Sequence, residues 1–346
     1  MLEKYDKGNM FDSIWNFPDN LKEALNIGEK INIKNKYSKI QNVVIAGMGG
    51  SAIGGDIVSV LEDVNINIPF FVCRDYSIPA WVSSKSLVIC SSYSGNTEET
   101  ISAFYKAKDK GAYICGITTG GTLLDLLEKN KRDFIKIPSG LQPRAAIAYS
   151  FIPIIKLMEK VGIIRTDLTI WIEKCIDSLE KNRLIYAKEA NENPIYELAN
   201  QIYKKIPIIY SDTSTMRINA VRLKGQLNEN GKMLAYCNEI PELNHNEIVG
   251  WQNNQNIFKN LCVLWLEDES DNIRTKIRKN ITETILNEIN IDQYTIQING
   301  DLFQERFLNM IHYGDWLSFW CAILHETDPS PVKKIERLKN ELGSKD

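Results

Sequence analysis

The chain has 346 residues, of which 44% are hydrophobic, and its 41 Lys and Arg residues nearly balance its 44 Asp and Glu residues, which gives a net charge of −3. This length suffices for two packed domains of ~150 residues each. The basic residues are scattered, which disfavours nucleic-acid binding, and no apolar run approaches the ~20 residues of a membrane span. The first residues carry charges of both signs, so we expect no secretory signal.

The cysteines indicate the redox environment of the protein. There are seven of them, without C-x-x-C spacing, and several lie inside apolar runs such as Leu261-Cys262-Val263. This pattern is typical of buried thiols in a reducing compartment. We therefore expect a cytoplasmic protein.

Short apolar runs alternate with longer amphipathic segments through the first half of the chain. The strand-sized runs, rich in Val, Ile, Phe and Cys, occupy residues 42–46, 69–73, 86–90, 112–117 and 133–137. The segments between them, such as 97–110 and 122–131, show helical spacing of apolar residues. This alternation predicts an α/β fold with a parallel sheet covered by helices on both faces.

A glycine-rich turn, GMGGSAIGGD at residues 47–56, follows the first of these strands. Glycines let backbone amides approach a ligand closely. The turn loosely matches the dinucleotide fingerprint G-x-G-x-x-G, for which Asp75 is the candidate acidic partner. A sugar phosphate suits this turn better than an extended dinucleotide, because a second turn rich in hydroxyl groups follows a different strand.

That second turn, SSYSGNTEET at residues 91–100, joins the strand at 86–90 to a predicted helix. The first turn of a helix carries unpaired N–H groups and a partial positive charge, so an anion can bind there without Lys or Arg. Ser92, Ser94 and Thr97 supply three hydroxyls, whereas the alternative, a simple N-cap, needs one. Because ligands of parallel sheets bind outside the carboxyl ends of the strands, we expect both turns to face one crevice.

The alternation stops over residues 145–192, which have helical periodicity, and resumes with runs at 206–210, 232–236, 260–265 and 293–298. We predict a first domain over 1–150, connecting helices over 151–192 and a second α/β domain over 193–346. The turn at 211–215 repeats the hydroxyl-rich pattern without glycines, which suggests an internal duplication. A short amphipathic helix is predicted over 331–342.

Two polar clusters in the second half contain the candidates for chemistry. Glu229 lies at a predicted helix end, and His245 lies between Asn244 and Asn246 in a polar turn, where a titratable imidazole could meet a substrate. Taken alone, a glutamate near a helix end such as Glu229 is usually solvated, whereas His245 is equally compatible with a capping role. His312 and His325 lie in a long helical pattern that is more typical of packed or solvated residues.

Other chemistries find little support in the sequence. Three dispersed histidines without an H-E-x-x-H motif do not predict a metal site. There is no G-x-S-x-G motif and no cysteine with an obvious histidine partner, which disfavours a nucleophilic mechanism. Acid/base chemistry is left, and we expect neither a metal nor another cofactor.

Several segments together resemble the bifunctional phosphoglucose/phosphomannose isomerases, which are built from two sugar isomerase (SIS) domains. They are GMGGSAIGGD, SSYSGNTEET, GLQPRAAIAYSF, QLNENGK, PELNHNEIVGW, DPSPV and ERLK. The first two segments mark SIS domains in general, whereas the segments around Glu229 and His245 are more specific to this isomerase group. The resemblance spans almost the whole chain and implies two SIS-type domains.

The resemblance also implies an activity and a set of roles. The family interconverts glucose 6-phosphate and mannose 6-phosphate with fructose 6-phosphate through a cis-enediol, without a metal. Arg144 would position the sugar and stabilise developing negative charge. The residues that would hold the phosphate are Gly50, Ser51, Ser92, Ser94 and Thr97.

The acid/base roles carried over from the family fall on three residues. Glu229 matches the base that moves a proton between C1 and C2, and His245 matches a ring-opening residue that reaches in from the partner subunit of a homodimer. Lys339 is the best match for a lysine that assists ring opening, with Lys333, Lys334 and Lys345 close by.

Two alternatives to this isomerase lack a required part. A non-catalytic SIS regulator that binds sugar phosphates would normally carry a basic helix-turn-helix, and no charge shift marks one here. An amino-sugar isomerase or synthase would usually add a glutaminase domain with a cysteine near its start, and Cys73 is the first cysteine.

Overall fold

The computed structural model describes residues 2–166, 168–189 and 192–344. The chain forms two compact units: the first comprises Asn16–Asp177, and the second comprises Met1–Trp15 and Ser178–Asp346. These bounds differ from the predicted domains, because the first fifteen residues belong to the second unit and the division falls inside a helix.

The amino-terminal helices, α1 (Leu2–Tyr5) and α2 (Met10–Trp15), belong to the second unit. The carboxylate of Asp6 accepts hydrogen bonds from the backbone N–H groups of Met10 and Phe11, both at 2.8 Å, and so begins α2. The Phe11 ring packs edge-on against Trp316 with the ring centroids 5.0 Å apart. These contacts explain why the start of the chain is separate from the first unit.

The first unit contains a five-stranded parallel sheet with the order β2-β1-β3-β4-β5. Its strands are β1 (Asn42–Ala46), β2 (Phe70–Cys73), β3 (Ser86–Ser92), β4 (Tyr113–Thr118) and β5 (Asp133–Lys136). Its helices are α3 (Phe17–Glu29), α4 (Gly49–Leu61), α5 (Glu98–Asp109), α6 (Gly121–Lys129), α7 (Ala148–Lys160) and the start of α8 (Leu168–Tyr186). All five predicted strands occur, with ends displaced by at most two residues.

Helix α7 is a core element of the first unit rather than a connection between domains. Its residues from Ala148 to Met158 are all buried. Lys156, only 2% exposed, keeps its charge by pairing with Glu29 of α3 and with Glu159 at 3.0 Å. A buried ammonium needs such partners. The sequence could not indicate this burial, because α7 has helical periodicity whichever neighbours it packs against.

The second unit contains a four-stranded parallel sheet with the order β7-β6-β8-β9. Its strands are β6 (Ile206–Asp212), β7 (Tyr236–Ile240), β8 (Leu261–Glu267) and β9 (Asp292–Gln297). Its further helices are α9 (Pro194–Ile202), α10 (Arg217–Glu229), α11 (Glu247–Gly250), α12 (Ile273–Glu288), α13 (Phe303–Leu324) and α14 (Lys333–Gly343). The α/β fold class with parallel sheets and flanking helices is confirmed.

One predicted strand is displaced along the chain. The run at 232–236 is strand-like in composition, but β7 begins only at Tyr236, which pairs with Ile208 of β6. Lys232 has a left-handed backbone with φ of +54°, and the Ala235 N–H is bonded to the Asn228 side chain at 3.1 Å. This segment is therefore a turn that leaves α10, in which Met233 and Ala235 are buried and Leu234 is 60% exposed.

None of the seven cysteines forms a disulfide bond in the structure, and six of them are buried. Burial raises the pKa of the Cys115 and Cys262 thiols to about 12, so these side chains are neutral packing groups. Within the described ranges, none of the helices has the length and hydropathy required to cross a bilayer.

Candidate active site

The two turns predicted to bind an anion follow neighbouring strands of the first sheet. Strand β1 pairs with β3 in parallel, with Ala46 opposite Cys90, so residues 47–51 and 92–97 leave the same edge. The chain order also reverses here, since β2 lies on one side of β1 and β3 on the other. Such a reversal opens a crevice at the carboxyl ends of the strands, which is where ligands of α/β sheets bind.

Direct contacts join the two turns to each other. The Tyr93 N–H donates to Ser51 Oγ at 3.2 Å. A Cβ added at Gly47 would lie 2.8 Å from the carbonyl oxygen of Ser91, so only glycine allows this approach. Helix α4 begins at Gly49, whose φ of +51° is readily adopted by glycine. The glycine turn and the serine turn therefore form one continuous surface.

The segment that carries Arg144 packs against the same surface. A Cβ at Gly50 would lie 2.7 Å from the carbonyl oxygen of Pro143. The Leu141 N–H donates to the Tyr93 hydroxyl at 3.0 Å. Arg144 itself is only 5% exposed. The structure thus brings Gly50, Ser51 and the segment of Arg144 together with the serine turn.

The hydroxyl groups of the serine turn shape the turn rather than cap the helix after it. Ser92 Oγ and Thr97 Oγ1 are 2.8 Å apart, and Ser92 Oγ also accepts from the Gly95 N–H at 3.1 Å. Ser94 Oγ accepts from the Asn96 N–H at 3.3 Å and is exposed. Thr97 precedes α5 but makes no side-chain capping bond to it. The simple capping role is therefore absent at this helix end.

A third segment, residues 118–122, where β4 ends and α6 begins, supports the serine turn and was not singled out from the sequence. Thr119 Oγ1 donates to the Tyr93 carbonyl at 2.8 Å. Asn96 Oδ1 accepts from both the N–H and the hydroxyl of Thr122 at 3.0 Å. The only sequence signal was the run TTGGT after a predicted strand, which resembles the other two turns in composition.

The acidic residue that a dinucleotide site would require has another role. Asp75 is exposed, and its Oδ1 accepts from the Ser77 N–H at 3.1 Å. This bond closes a local turn after β2. The dinucleotide interpretation of the glycine turn gains no support from this residue.

In the second unit, Glu229 is the last residue of α10 and is half-buried. Buried polar bonds fix this helix against α13: Arg222 and Gln226 both donate to Asp315, with the shortest contacts at 2.7 Å. One residue past the helix, Asn230 Nδ2 donates to Ser318 Oγ at 3.0 Å. The position of the Glu229 backbone is therefore set by a rigid helix pair.

A cavity of about 860 Å³ adjoins Glu229 within the second unit. Lys232 Nζ donates to the Glu229 carbonyl, and to the Pro329 carbonyl at 2.8 Å, at the edge of this cavity. Lys333 and Lys334, in the first turn of α14, also line it. Lys339 is exposed farther along α14 and is not among the described lining residues. Lys345 lies outside the described residues.

His245 ends a short 3-10 turn, Glu242–His245, and its side chain is exposed. The residues around it are anchored. Asn244 Nδ2 donates to Thr282 Oγ1 of α12 at 2.9 Å, and Asn246 Nδ2 donates to Glu242 at 2.7 Å. The turn therefore holds its imidazole at the surface of the second unit on a fixed support.

Beyond His245, Glu247 secures the same turn to the sheet. Its carboxylate accepts from the hydroxyl of the buried Tyr210 of β6 and from Asn238 Nδ2 at 2.5 Å. Burial, and then the adjacent carboxylate, raise the pKa of Tyr210 well above its ordinary value, so the phenol stays a donor. Neither Tyr210 nor Glu247 was among the candidates expected from the sequence.

The other histidines have structural surroundings. His312 is fully buried, accepts from Trp316 Nε1 at 2.9 Å, and burial lowers its pKa to about 3. His325 is exposed and packs against the Tyr203 ring with the centroids 5.2 Å apart. In the described part of the chain, no three His, Cys, Asp or Glu side chains are grouped to hold a metal ion.

Comparison with known proteins identifies relatives over nearly the full length. The chain is 44% identical to the bifunctional phosphoglucose/phosphomannose isomerase of Caldicellulosiruptor bescii, over 96% of this chain and 99% of that protein. It is 37% identical to the enzyme of the same name from Aquifex aeolicus, over 87% of this chain and 90% of the relative.

Comparisons at the domain and fold level agree with these relatives. Residues 191–342 match the model of the bacterial phospho-glucose isomerase C-terminal SIS domain. A solved structure of a hypothetical protein from Thermus thermophilus superposes with a TM-score of 0.73 at 16% identity, covering 99% of this chain and 92% of that one, and shares the fold. The family resemblance expected from the sequence is thereby confirmed: this chain belongs to the bifunctional phosphoglucose/phosphomannose isomerase family.

Proposed function

We propose that this isomerase interconverts glucose 6-phosphate and mannose 6-phosphate with fructose 6-phosphate through a cis-enediol intermediate, by acid/base catalysis without a metal. The observation that carries the proposal is the 44% identity to a bifunctional isomerase over nearly the whole of both chains. The two sugars differ only at C2 and share one enediol with fructose 6-phosphate. One base acting at C1 and C2 therefore serves both substrates.

The phosphate is the handle by which the first unit holds the substrate. Residues Gly50 and Ser51 lie in the first turn of α4, and Thr97 immediately precedes α5. Backbone N–H groups at these helix starts, together with the hydroxyls of Ser92 and Ser94, offer donors to an anion. Binding energy from this remote group orients the sugar for reaction.

The proton transfer is assigned to Glu229, and Arg144 stabilises the negative charge of the enediolate. A half-buried carboxylate on a rigid helix end is suited to removing a proton from one carbon and returning it to the neighbouring carbon. Ring opening is assigned to His245 of the second subunit in a homodimer and to Lys339. Lys333 and Lys334 are alternatives to Lys339, because they line the cavity beside Glu229.

We place the activity in the cytoplasm, where cysteines that form no disulfide, such as the seven of this chain, remain reduced.

The first test measures both substrates and the proposed base together. Fructose 6-phosphate formation is followed from glucose 6-phosphate and from mannose 6-phosphate separately, with EDTA present. We expect the native protein to act on both, and Glu229→Gln to lower kcat by about 10²–10⁴-fold on both. Glu326→Gln is the matched control, since Glu326 lines the same cavity. Loss of native activity in EDTA, or a folded Glu229→Gln protein with native kcat, contradicts the proposal.

A second test concerns the homodimer. Glu229→Gln and His245→Ala proteins are each nearly inactive alone, but a mixed dimer contains one site with both native residues if His245 crosses between subunits. After subunit exchange in an equal mixture, we expect about a quarter of the native activity to return. A mixture that stays inactive while exchanging subunits places both residues in the same subunit.

A further inference from the structure

The exposed surface of α12 carries a row of large apolar side chains. Ile273, Ile277, Ile281 and Ile285 are spaced four residues apart and are 68%, 39%, 57% and 37% exposed. We call these four side chains the isoleucine face. Single exposed apolar residues are common, but a contiguous row of four is typical of a surface that another protein covers.

The spacing of the isoleucine face matches a specific mode of helix packing. Side chains four residues apart form a ridge inclined to the helix axis, and two such ridges interdigitate in the most common class of helix pair. A ridge of four equal side chains is also complementary to itself. The same surface on a second copy of the chain can therefore fill its grooves, as in a two-fold interface.

The charges around the isoleucine face favour a second copy in the antiparallel orientation. Arg274 and Arg278 accompany the amino-terminal half of the face, and Glu288 accompanies the carboxyl-terminal end. In an antiparallel pair, the basic end of one helix meets the acidic end of the other. A parallel pair would bring like charges together.

The turn that presents His245 is attached to the same helix. The bond from Asn244 to Thr282 fixes this turn against α12, and the neighbouring Val249 is 68% exposed. A second copy that covers the isoleucine face lies next to the turn, and the interface therefore adjoins the residue expected to act across subunits.

We propose that the isoleucine face of α12 is the dimer interface of this protein, with two copies of α12 packed antiparallel about a two-fold axis. This inference rests on the homodimer of the proposed function and identifies the surface that forms it. It assigns a role to four isoleucines that neither the phosphate-binding turns nor the acid/base residues require.

Sedimentation equilibrium of the full-length protein tests the interface. The double variant Ile277→Glu/Ile281→Glu places four like charges in the interface, and we expect its dimer dissociation constant to rise by at least about 100-fold. Ile170→Glu is the matched control, because Ile170 is a 61% exposed isoleucine on another helix. Circular dichroism confirms that each variant is folded. A double variant that remains as dimeric as Ile170→Glu overturns the inference.

Charge reversal tests the orientation independently. Arg274→Glu alone should weaken the dimer, because it places a carboxylate opposite Glu288 of the second copy. The addition of Glu288→Arg in the same chain should restore the dimer, because each introduced carboxylate then faces an introduced arginine of the other copy. If the double reversal is weaker than the single one, the antiparallel arrangement is wrong.

The outcomes separate this inference from the proposed function. A native dimer that the Ile277→Glu/Ile281→Glu variant leaves intact overturns the interface alone. A dissociated double variant of a protein that shows no isomerase activity supports the interface and contradicts the function. A native protein that is monomeric at micromolar concentration overturns the interface and the proposed homodimer together.

Discussion

The two sheets of this protein have the same kind of crevice at their carboxyl edges but fill it differently. In the first unit, the turns after β1 and β3 contain glycines and hydroxyl side chains, without a carboxylate between residues 47 and 51 or between 92 and 97. In the second unit, Asp212 is the last residue of β6, and Asp268 and Asp271 lie in the turn after β8. Both pairs of strands lie where the strand order reverses.

The carboxylates of the second unit occupy donors that an anion would need. Asp212 Oδ1 accepts from the Ser214 N–H at 2.7 Å, and Asp268 Oδ1 accepts from the Ser270 N–H at 2.9 Å. Asp271 Oδ2 accepts from the Asp268 N–H at 2.9 Å. The cavity of about 160 Å³ at this edge is lined by three carboxylates, Asp212, Glu267 and Asp271, and by Lys276 and Lys279. Lys279 pairs with Glu267 at 2.7 Å. The proposed phosphate site therefore lies at the edge whose turns lack carboxylates, although both sheets have the same strand arrangement.

The largest expected effect is a loss of stability when the serine turn is pushed away from the segment 118–122 that supports it. A Cβ at Gly95 would lie 1.8 Å from the carbonyl oxygen of Gly120, and Gly95 has a φ of +72°. We expect Gly95→Ala to lower the free energy of unfolding by about 3 kcal/mol or more, measured by urea denaturation.

Gly111→Ala isolates the contribution of the backbone angle. Gly111 has a similar φ of +69°, but the nearest atom to an added Cβ is 3.8 Å away. We expect a loss of about 1 kcal/mol there. Equal losses of unfolding free energy in Gly95→Ala and Gly111→Ala would show that the close contact between Gly95 and Gly120 adds little to the stability of the serine turn.

An intermediate effect, on substrate binding, is expected when a carboxylate is added to the carboxyl edge of the first sheet, as is found at the edge of the second sheet. Ser94→Asp adds a carboxylate at an exposed position of the serine turn. Repulsion of the phosphate should raise the KM for glucose 6-phosphate, and the inhibition constant of inorganic phosphate, by roughly 100-fold, with a smaller change in kcat. Ser84→Asp, at an exposed position outside the turn, should leave both constants near their native values. An unchanged KM in Ser94→Asp would remove this residue from the phosphate site.

The smallest expected effect is a dependence of the free energy of unfolding on pH, caused by the carboxyl group of Asp271 in the second unit. Burial, followed by the charges of Asp212 and Asp268, raises the pKa of Asp271 to about 6 from its ordinary 3.8, against hydrogen bonds from the Asp268 amide and the Thr215 hydroxyl. The folded state therefore binds this proton more tightly than the unfolded state. Its stabilising contribution is complete below about pH 4 and is lost as the pH rises through 6.

Asp271→Asn should remove this contribution to the dependence of the unfolding free energy on pH. Between pH 4.5 and 7, we expect the native free energy of unfolding to fall by about 1 kcal/mol relative to that of the variant, measured by urea denaturation. Asp301→Asn, at an exposed carboxylate, serves as the control. A native protein that gains stability relative to Asp271→Asn over this range would contradict the assignment.

Sequence patterns sufficed for the features that depend on local order along the chain. The strands β1 and β3, and the two turns that follow them, were predictable because apolar runs end at clusters of glycine and hydroxyl residues. The run at 232–236 misled, because its composition is strand-like while its backbone at Lys232 is left-handed. No local sequence pattern distinguishes such a turn from a true strand.

Features that depend on contacts between distant segments were not predictable. The hydroxyls at 211–215 suggested a repeat of the first-unit turns, but the neighbouring Asp271 comes from the loop after β8 and forms a hydrogen bond with Thr215. The support that Thr119 and Thr122 give to the serine turn depends on the neighbouring position of β4. Likewise, helical spacing could not tell which lysine of α14 lies beside Glu229.

The ammonium group of Lys232 donates to the carbonyl oxygens of both Glu229 and Pro329, and so bridges the end of α10 and the segment that leads into α14. The Lys232 ammonium thereby connects two main-chain oxygens that belong to distant parts of the sequence. Displacement of the segment at Pro329 would break one of these two hydrogen bonds and leave the Lys232 ammonium next to the proposed base. The segment at Pro329 and the backbone of the proposed base, Glu229, are therefore linked through Lys232, although about a hundred residues of sequence separate them.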